Sequence, residues 1–355
     1  MRMLIMAGGT GGHIIPALAV ARELICQGVE ISWMGSRHGL EARLVNPGEI
    51  DFNPIDIKGL RKSGALRKIL MPVMLSRAIG QSLYIFLKRR PHAVLGMGGF
   101  VSGPGGLVAA ALRLPLILHE QNSVAGLTNR WLSRFSYRTL TGFPKADGIR
   151  EFEWVGNPVR REIADIPSPA RRLSHRHGGL RILVVGGSGG AEVFNQQLPR
   201  LLESGSAAPF EVWHQAGRRD FGDIEKAYED RGIRCRVLEF IEDMKAAYEW
   251  CDVVICRSGA MTVSEVCSAG VAAIFVPYPH AVNDHQTRNA EYLVQENAAY
   301  LVSQEDFLQG GWVRLLAQFG GNRDPLIETA DRARRLSRPD AAGQVASICM
   351  EAMHA

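Results

Sequence analysis

The stretch MAGGTGGHIIP, residues 6–16, places four glycines around one threonine, between a short apolar run and an amphipathic pattern. A near copy, LVVGGSGGAEVFN, begins at Leu183. A glycine-rich turn between a strand and a helix lets backbone N–H groups approach an anion, which the helix dipole also favours. Because each copy follows the first strand of its half, the pair predicts two related α/β domains facing each other across a cleft. The alternative is that the glycines serve only tight strand-to-helix packing.

Short apolar runs alternate with longer amphipathic ones in both halves, which predicts βαβ units and mostly parallel sheets covered on both faces. The predicted strands are residues 2–6, 30–34, 93–96, 116–119, 138–141, 181–185, 210–214, 236–239, 253–256, 272–276 and 299–301. Helical patterns include residues 16–27 and 40–45. A change of texture after residue 152 predicts a domain boundary near Asn157, with domains at 1–157 and 158–339. A final helix, 340–355, is predicted to return to the first domain.

The net charge of +5 is unevenly distributed, with +9 in residues 1–157 and −4 in the remainder. Residues 58–90 mix nine basic side chains with apolar ones and contain no acid. This composition suits an anionic bilayer surface, although an amphipathic helix packed on its own sheet, at 83–87, is the alternative. No segment has the roughly 20 apolar residues needed to span a bilayer. Peripheral attachment is therefore expected.

Several function classes are disfavoured by motif and composition. The dinucleotide fingerprint fails, because Ile14 and Glu192 stand where its third glycine belongs, and no lysine follows either loop as in a Walker A motif. A nicotinamide dehydrogenase is therefore not expected. A nucleic-acid binder would need stacking aromatics in the basic segment, where only Tyr84 and Phe86 occur.

Neither metal nor cofactor is expected. The six cysteines form no CxxC pair or zinc-finger spacing and are interpreted as buried, reduced thiols of a cytosolic protein. No DxD sequence occurs. A metal held by His280, Asp284 and His285 is the weaker alternative, because no matching carboxylate group stands elsewhere at ligand spacing.

His13 distinguishes the first glycine loop from the second, which has Ala191 at the matching place. Near a helix start, the dipole favours the neutral imidazole, and a neutral imidazole in a cleft acts as a general base. A structural histidine that caps a turn is the alternative.

The stretch CRSGAMTVSEVCSAG, residues 256–270, predicts a strand followed by a helix that Ser258 or Thr262 caps. The helix start would hold a diphosphate on its N–H groups, and Glu265 would accept two ribose hydroxyls. The alternative is a capping-box glutamate on an ordinary helix. In the loop after Pro279, polar side chains that include Asn283 and Gln286 fit sugar hydroxyls.

Eight motifs occur in the order of one known family: AGGTGGH, VLGMGGFVSGPGG, LHEQN, VGNPVR, VVGGSGGA, FIEDM, CRSGAMTVSE and DHQTRNA. Through them the chain resembles the MurG family, bacterial transferases that add N-acetylglucosamine (GlcNAc) to undecaprenyl-diphospho-N-acetylmuramoyl-pentapeptide (lipid I). The resemblance implies a GT-B fold of the α/β class, with two Rossmann-like parallel-sheet domains facing a central cleft. It implies that UDP-GlcNAc binds mainly to the second domain, that lipid I binds to the first, and that the transfer inverts configuration.

The family's site residues carry over by position. The resemblance implies catalytic roles for His13 and, secondarily, His119 and Glu120. It implies donor contacts for Thr10, Gly11, Gly12, Asn122, Arg160, Ser188, Ile241, Ala260, Met261, Thr262, Val263, Ser264, Glu265 and Gln286. Arg160 would offset leaving-group charge, Ser188 would face the diphosphate, and the Ile241 backbone would meet uracil.

Two positions depart from the family pattern, and one rival stays open. Gly189 stands where the family usually has glutamine, and Phe100 where it often has tyrosine, so neither receives a polar role. The resemblance also implies work at the cytoplasmic face of the bacterial inner membrane. The rival is another GT-B sugar-nucleotide enzyme, such as a UDP-GlcNAc 2-epimerase.

Overall fold

Two parallel sheets form around strands that are apolar along most of their length. The computed structural model describes residues 1–45, 48–57, 71–187, 189–204, 210–218 and 221–355. The chain divides into two units. The first comprises Met1–Val159 and Arg338–Ala355, and the second comprises Arg160–Ser337. The prediction of two parallel α/β sheets is confirmed.

The first unit contains a seven-stranded sheet in the order β3-β2-β1-β4-β5-β6-β7, with every pairing parallel. Its strands are β1 Arg2–Met6, β2 Glu30–Ser36, β3 Asp51–Ile55, β4 Ala93–Gly96, β5 Leu116–Glu120, β6 Arg138–Thr141 and β7 Glu153–Trp154. Its first helices are α1 Gly11–Cys26, α2 Glu41–Leu44, α3 Met71–Arg89, α4 Ser102–Ala111 and α5 Leu127–Leu132.

Strand β3 was not predicted from the sequence, and the reason is physical. Its sequence, DFNPI, holds Pro54 and two polar residues, which weaken a strand pattern. A proline is tolerated at the edge of a sheet because its missing N–H is not needed on the open side. β3 lies at that edge, next to β2.

Helix α1 begins at Gly11, five residues before the apolar pattern that predicted it. Glycine adds no side chain to a periodic pattern, so the pattern marks only the part of the helix that packs. Pro16 lies inside the helix, beyond its first turn, so it cannot donate the helix hydrogen bond to the Gly12 carbonyl. His13 is therefore the third residue of the helix.

The final helix of the chain packs on the first unit. It shares a core cluster with β1 and α1 through Val345, Ala346 and Cys349, each of which is fully buried. Together with Ala352 and Met353, these side chains belong to the same hydrophobic cluster as Ile14 and its neighbours on α1. The first unit is therefore built from both ends of the chain.

The second unit contains a six-stranded parallel sheet in the order β10-β9-β8-β11-β12-β13. Its strands are β8 Leu180–Val185, β9 Phe210–Gln215, β10 Arg234–Leu238, β11 Val253–Cys256, β12 Ala272–Phe275 and β13 Tyr300–Leu301. Its helices are α6 Arg161–Ala164, α7 Pro169–Leu173, α8 Glu192–Ser204, α9 Phe221–Glu229, α10 Met244–Trp250, α11 Ala260–Ala269, a 3₁₀ turn at Val282–Asp284, α12 His285–Val294, α13 Gln304–Gln309, α14 Val313–Gly321 and α15 Asp324–Arg335. The final helix, α16, is Ala341–His354.

Two further features concern cysteines and membrane spans. Cys251, Cys256, Cys267 and Cys349 are buried and unpaired, but Cys26 is exposed at the end of α1, so its predicted burial is wrong. A terminal helix residue on the solvent side simply lacks a neighbour to cover it. Within the described ranges, no helix is both long and apolar enough to cross a membrane.

Candidate active site

The first glycine loop connects β1 to α1 and presents unpaired backbone donors. Thr10 caps the helix with its backbone in an extended conformation, and its exposed side chain makes no capping bond. Within the described residues, no hydrogen bond engages the N–H groups of Gly11 and Gly12. Gly9 has φ +97°, a conformation that favours glycine. The loop can therefore offer two N–H donors and the helix dipole to an anion.

A buried carboxylate, which sequence reasoning missed, anchors this loop. Glu41 is fully buried, and its Oε1 accepts hydrogen bonds of 2.7 Å from both the N–H and the hydroxyl of Ser36. Its Oε2 accepts a 3.3 Å bond from the Gly9 N–H. A single glutamate in a short polar stretch carries no sequence signal, because its partners come from different loops.

His13 is partly buried, and one of its ring nitrogens is engaged. Nδ1 lies 2.8 Å from Oε1 of Gln121. The ring packs on the Gly98–Gly99 turn, where an added Cβ at Gly98 would be 3.1 Å from Nδ1. No hydrogen bond in the described part of the chain reaches Nε2. This nitrogen is the one that can meet a substrate.

His119 lies at zero exposure in β5, and both of its nitrogens are engaged. Nε2 lies 2.9 Å from the carbonyl oxygen of Gly156, and Nδ1 lies 3.1 Å from Nε2 of Gln121. Burial lowers the pKa of His119 from 6.5 to about 4, even though the Gly156 carbonyl favours the charged form. His119 is therefore neutral at physiological pH, and neither nitrogen is placed to exchange a proton with a substrate.

Glu120 is nearly fully buried at the end of β5, and both of its oxygens hold the loop that follows. Oε1 accepts from the backbone and side-chain nitrogens of Asn122, at 3.0 and 3.3 Å. Oε2 accepts from the Gly126 N–H at 3.1 Å and from Asn129 at 2.9 Å. This geometry gives Glu120 the task of shaping the Asn122 loop.

The second unit contains a cavity of about 680 Å³ at the ends of β8 and β11. Both the start of α8 and the start of α11 border it, so two helix N-termini contribute to its walls. It is lined by Gly186, Gly187, Gly190, Ala191, Glu192, Val193, Gln196, Gln197, Arg257, Gly259, Thr262, Tyr278, Gln286, Gln304 and Leu308. Two helix dipoles aimed at one space favour an anion there.

The second glycine loop is fixed by close backbone contact. A Cβ at Gly190 would collide with the carbonyl of Ala216, and its φ of +74° also favours glycine. Gln215 ties the loop to its surroundings, because its Nε2 donates to the Gly187 carbonyl at 2.8 Å and its Oε1 accepts from the Ile241 N–H at 3.0 Å. Because the Ile241 N–H is engaged in this way, the predicted backbone contact with uracil would have to come from the Ile241 carbonyl. Ser188 lies outside the described residues.

The start of α11 differs from the predicted cap. Gly259 is the N-cap, and no side chain caps the helix, so the prediction for Ser258 or Thr262 is wrong. The hydroxyl of Ser258 is buried and has no hydrogen-bond partner among the described residues. Because Gly259 has no side chain, the space in front of the first N–H groups of α11 stays open.

Side chains of α11 divide between the cavity and the core. Thr262 lines the cavity, whereas Ala260, Met261 and Val263 are buried hydrophobic residues. The hydroxyl of Ser264 donates back to the Ala260 carbonyl at 3.0 Å. Ala260 and Met261, at the start of the helix, could therefore meet a ligand through their backbone N–H groups, whereas the Val263 N–H already donates to the Gly259 carbonyl.

Two predicted site residues, Arg160 and Glu265, form an ion pair that the sequence did not indicate. Nη2 of Arg160 lies 3.3 Å from Oε1 of Glu265, and the Tyr248 hydroxyl donates to Oε2 at 3.2 Å. Burial raises the pKa of Glu265, while Arg160 and Tyr248 oppose this shift. A ribose would have to compete with these contacts for the carboxylate.

Arg257 is a cavity residue that the sequence prediction did not assign. Its guanidinium donates to the carbonyls of Val276 and Pro277 at 3.0 and 2.9 Å, and to Gln304 at 2.8 Å. It also lies over the Phe194 ring, 5.0 Å from the centroid. A rigidly held cation beside two helix N-termini strengthens the anion-binding character of the cavity.

Gln286, the second residue of α12, lines the cavity, and its Oε1 accepts from the Tyr278 N–H at 2.9 Å. The proposed metal ligands do not converge. Asp284 accepts from Thr287, and Nδ1 of His285 donates to the Val282 carbonyl. No group of three potential metal-ligating side chains occurs in the described ranges.

Comparison with known proteins gives matches over both units. Residues 3–141 match the glycosyltransferase family 28 N-terminal domain, and residues 181–345 match the family 28 C-terminal domain. A Marinobacter nauticus protein is 49% identical over 99% of this chain and 97% of its own length. A Coxiella burnetii protein is 48% identical over 98% of each chain. Both are named UDP-N-acetylglucosamine–N-acetylmuramyl-(pentapeptide) pyrophosphoryl-undecaprenol N-acetylglucosamine transferase.

Solved structures agree with these matches. Acinetobacter baumannii MurG superposes with a TM-score of 0.85 and 38% identity, and the match covers 99% of each chain. UDP-GlcNAc 2-epimerase from Neisseria meningitidis gives a TM-score of 0.64 at 13% identity, covering 99% of this chain and 100% of its own. At that identity the epimerase shares only the GT-B fold.

Proposed function

This chain belongs to glycosyltransferase family 28, and from that premise we propose that it transfers GlcNAc from UDP-GlcNAc to the C4 hydroxyl of N-acetylmuramic acid in lipid I. The product is lipid II, a precursor of peptidoglycan. The observation that carries this proposal is the anion-binding cavity of the second unit, in a chain nearly half identical to transferases of that name.

The second unit binds the donor in this proposal. The diphosphate lies against the N-termini of α8 and α11, where two dipoles and Arg257 offset its charge. Thr262 and Gln286 contact the phosphate and sugar, and the Ile241 carbonyl meets uracil. Arg160 exchanges its contact with Glu265 for the leaving group, which frees Glu265 for the ribose hydroxyls.

The first unit binds the acceptor in this proposal. Thr10, Gly11 and Gly12 approach the acceptor's diphosphate and the donor, and Asn122 stands on the loop that Glu120 shapes. Nε2 of His13 takes the proton of the C4 hydroxyl as the hydroxyl oxygen attacks the anomeric carbon. The bond from that carbon to UDP breaks, and the configuration inverts.

Attachment to the inner leaflet of the bacterial membrane completes the proposal, and helix α3 supports it. Val73, Tyr84 and Leu87 are 68%, 65% and 62% exposed and lie on one side of the helix. Lys88 and Arg90 are exposed near them. Within residues 83–87, for which packing on the sheet was the alternative, Ile85 and Phe86 are buried, whereas Leu83 and Leu87 are exposed. Residues 58–70 of the basic segment lie outside the described residues.

Radiolabelled UDP-GlcNAc with a lipid I analogue tests the activity. The expected result is a labelled lipid product that requires the acceptor, with UDP released in equal amount. A UDP-GlcNAc 2-epimerase would instead convert the donor into UDP-N-acetylmannosamine without any acceptor and would form no lipid product. Donor consumption that is independent of acceptor, with no lipid product, would overturn the proposal.

A further inference from the structure

A line of polar groups inside the first unit runs from His13 to a backbone carbonyl. Nδ1 of His13 lies 2.8 Å from Oε1 of Gln121. Nε2 of Gln121 lies 3.1 Å from Nδ1 of His119, and Nε2 of His119 lies 2.9 Å from the Gly156 carbonyl oxygen. Gln121 and His119 are 1% and 0% exposed, so bulk water does not reach the contact between them.

The carbonyl at the end of this line fixes the direction of every bond in it. A carbonyl oxygen only accepts, so Nε2 of His119 must carry a proton. Neutral His119 then has a lone pair on Nδ1, which requires a donor from Gln121. The amide nitrogen of Gln121 supplies it and also donates to the His119 carbonyl, at 3.2 Å. The amide oxygen is therefore turned toward His13.

The tautomer of neutral His13 follows from this orientation. The Gln121 oxygen only accepts, so the His13 proton lies on Nδ1, and Nε2 keeps its lone pair. The opposite tautomer would set a lone pair against the amide oxygen at 2.8 Å, a repulsive contact. Burial keeps His119 neutral, and a neutral His119 allows only one donor-to-acceptor direction for the hydrogen bonds in this line.

We propose that Gln121 is a positioning residue that holds His13 in the Nδ1–H tautomer, so that Nε2 is the proton acceptor of the transfer reaction. This inference rests on the proposed function and adds to it a residue that does not touch substrate. Only a side chain with one donor and one acceptor joins two neutral imidazoles in this way. A glutamine meets that requirement, and a carboxylate does not.

The position of Gln121 is itself secured from its backbone. Asn157 donates from Nδ2 to the Gln121 carbonyl at 3.0 Å. Gln121 also immediately precedes the loop that Glu120 holds through Asn122, Gly126 and Asn129. These contacts fix the backbone from which the Gln121 side chain extends, and the hydrogen bonds with His13 and His119 orient its amide.

Nitrogen NMR of ¹⁵N-histidine-labelled protein, with His13→Gln to assign the signal, measures the tautomer directly. Spectra are recorded at mildly alkaline pH, where neutral imidazole dominates. In the unaltered protein we expect the His13 proton on Nδ1. Finding it on Nε2 would overturn the proposal whatever any variant does. The measurement uses no substrate, so it is independent of whether lipid II is made.

Two variants at position 121 separate positioning from simple structural support. Gln121→Met keeps the size but removes both contacts, so we expect the His13 proton to move to Nε2. We expect kcat to fall by about 10- to 100-fold, part of what a general base contributes, with KM for UDP-GlcNAc within about twofold of normal. Gln121→Glu keeps an acceptor for Nδ1–H, so it should retain the tautomer and recover part of kcat.

The same experiments can also contradict the proposed role of Gln121. A folded Gln121→Met protein that keeps the Nδ1–H signal, or that keeps normal kcat, would overturn the positioning role. Equal loss of kcat in the methionine and glutamate variants would also overturn it. If the unaltered protein shows the expected tautomer but forms no GlcNAc-lipid product, the proposed function fails and the tautomer assignment stands.

Discussion

At the residue scale, the chemistry of the first unit depends on which polar atoms are already satisfied. Glu120 and His119 resemble acid–base groups in sequence, but each is fully occupied by neighbours of its own unit. His13 keeps one nitrogen available. A sequence shows the residue types, but hydrogen-bond occupancy depends on contacts from distant parts of the chain.

Replacing His13 should therefore remove most of the chemical step. We expect His13→Gln to lower kcat by about 10²- to 10⁴-fold, the usual contribution of a general base. KM for UDP-GlcNAc should change little, because the donor cavity belongs to the second unit. Steady-state kinetics with a lipid I analogue would measure both, and exposed His38→Gln is the matched control. Near-normal turnover in the His13 variant would exclude it as the base.

His214 should make stability depend on pH. It is fully buried, and its Nε2 has no partner among the described residues. Burial lowers its pKa from 6.5 to about 3. Between these values the unfolded chain binds the additional proton, so the free energy of unfolding falls as pH falls, by about 1.4 kcal/mol per pH unit.

Urea unfolding at several pH values below 6.5 checks this prediction. His214→Phe should reduce the slope of unfolding free energy against pH by that amount, because phenylalanine takes up no proton. His177→Gln, at an exposed position, serves as the control and should leave the slope unchanged. An unaltered slope in the His214 variant would contradict the prediction.

At the scale of elements, helix starts and sheet edges were the hardest features to predict. α1 begins in glycine, and β3 contains a proline, so neither has the apolar period that marks a packed element. The buried strands β1, β4 and β11 were predicted at their observed bounds, because both faces are apolar. An apolar sequence pattern reflects burial, so an element that is buried on one side gives a weaker pattern than one buried on both.

Helix α3 offers a test of membrane attachment at this scale. Ile85 and Phe86 lie on the buried side of the helix. Arg77 forms an ion pair with Asp56, which follows β3. Hydrogen bonds from Arg37 and Gln81 lower the pKa of Asp56 to about 2. Val73 and Leu87 lie outside these contacts. Val73→Ser/Leu87→Ser should therefore leave the fold intact and weaken binding to anionic vesicles several-fold, because less apolar surface enters the interface.

Vesicle sedimentation at low and high salt would measure this binding. Leu301→Ser, at another exposed apolar position in the second unit, is the control and should bind normally. High salt should weaken binding of the unaltered protein, since basic residues contribute about 1 kcal/mol each near an anionic surface. Vesicle binding that survives the double substitution unchanged would exclude this side of α3 as a docking surface.

At the scale of the whole molecule, the chain repeats one plan in two units, and we propose that this plan serves to bind anions. In each unit a glycine loop follows the first strand, and a buried glutamine holds a neighbouring group: Gln121 holds His13, and Gln215 holds Gly187 and Ile241. The plans differ where the proposed roles differ. The second unit adds Arg257 and a second helix N-terminus, whereas the first adds a histidine.

This division predicts turnover that does not depend on a divalent metal. Two helix N-termini and Arg257 supply positive potential where the donor diphosphate is proposed to lie, so no bridging ion is needed. Adding EDTA to the radiolabel assay should leave kcat and KM for UDP-GlcNAc unchanged. Activity that EDTA abolishes and a divalent metal restores would contradict this prediction.

The sequence by itself determined the fold class, the duplicated loops and the family, because these depend on local patterns: apolar runs, glycine spacing and ordered motifs. Tertiary structure alone decided that Glu41 anchors the first loop, that Arg160 pairs with Glu265, that Gly259 caps α11 and that Gln121 orients His13. Three of these are contacts between residues far apart in the chain, and the cap depends on the backbone conformation at one glycine. No local pattern records such features, because they form only when folding removes the groups from water and leaves each donor one acceptor within reach.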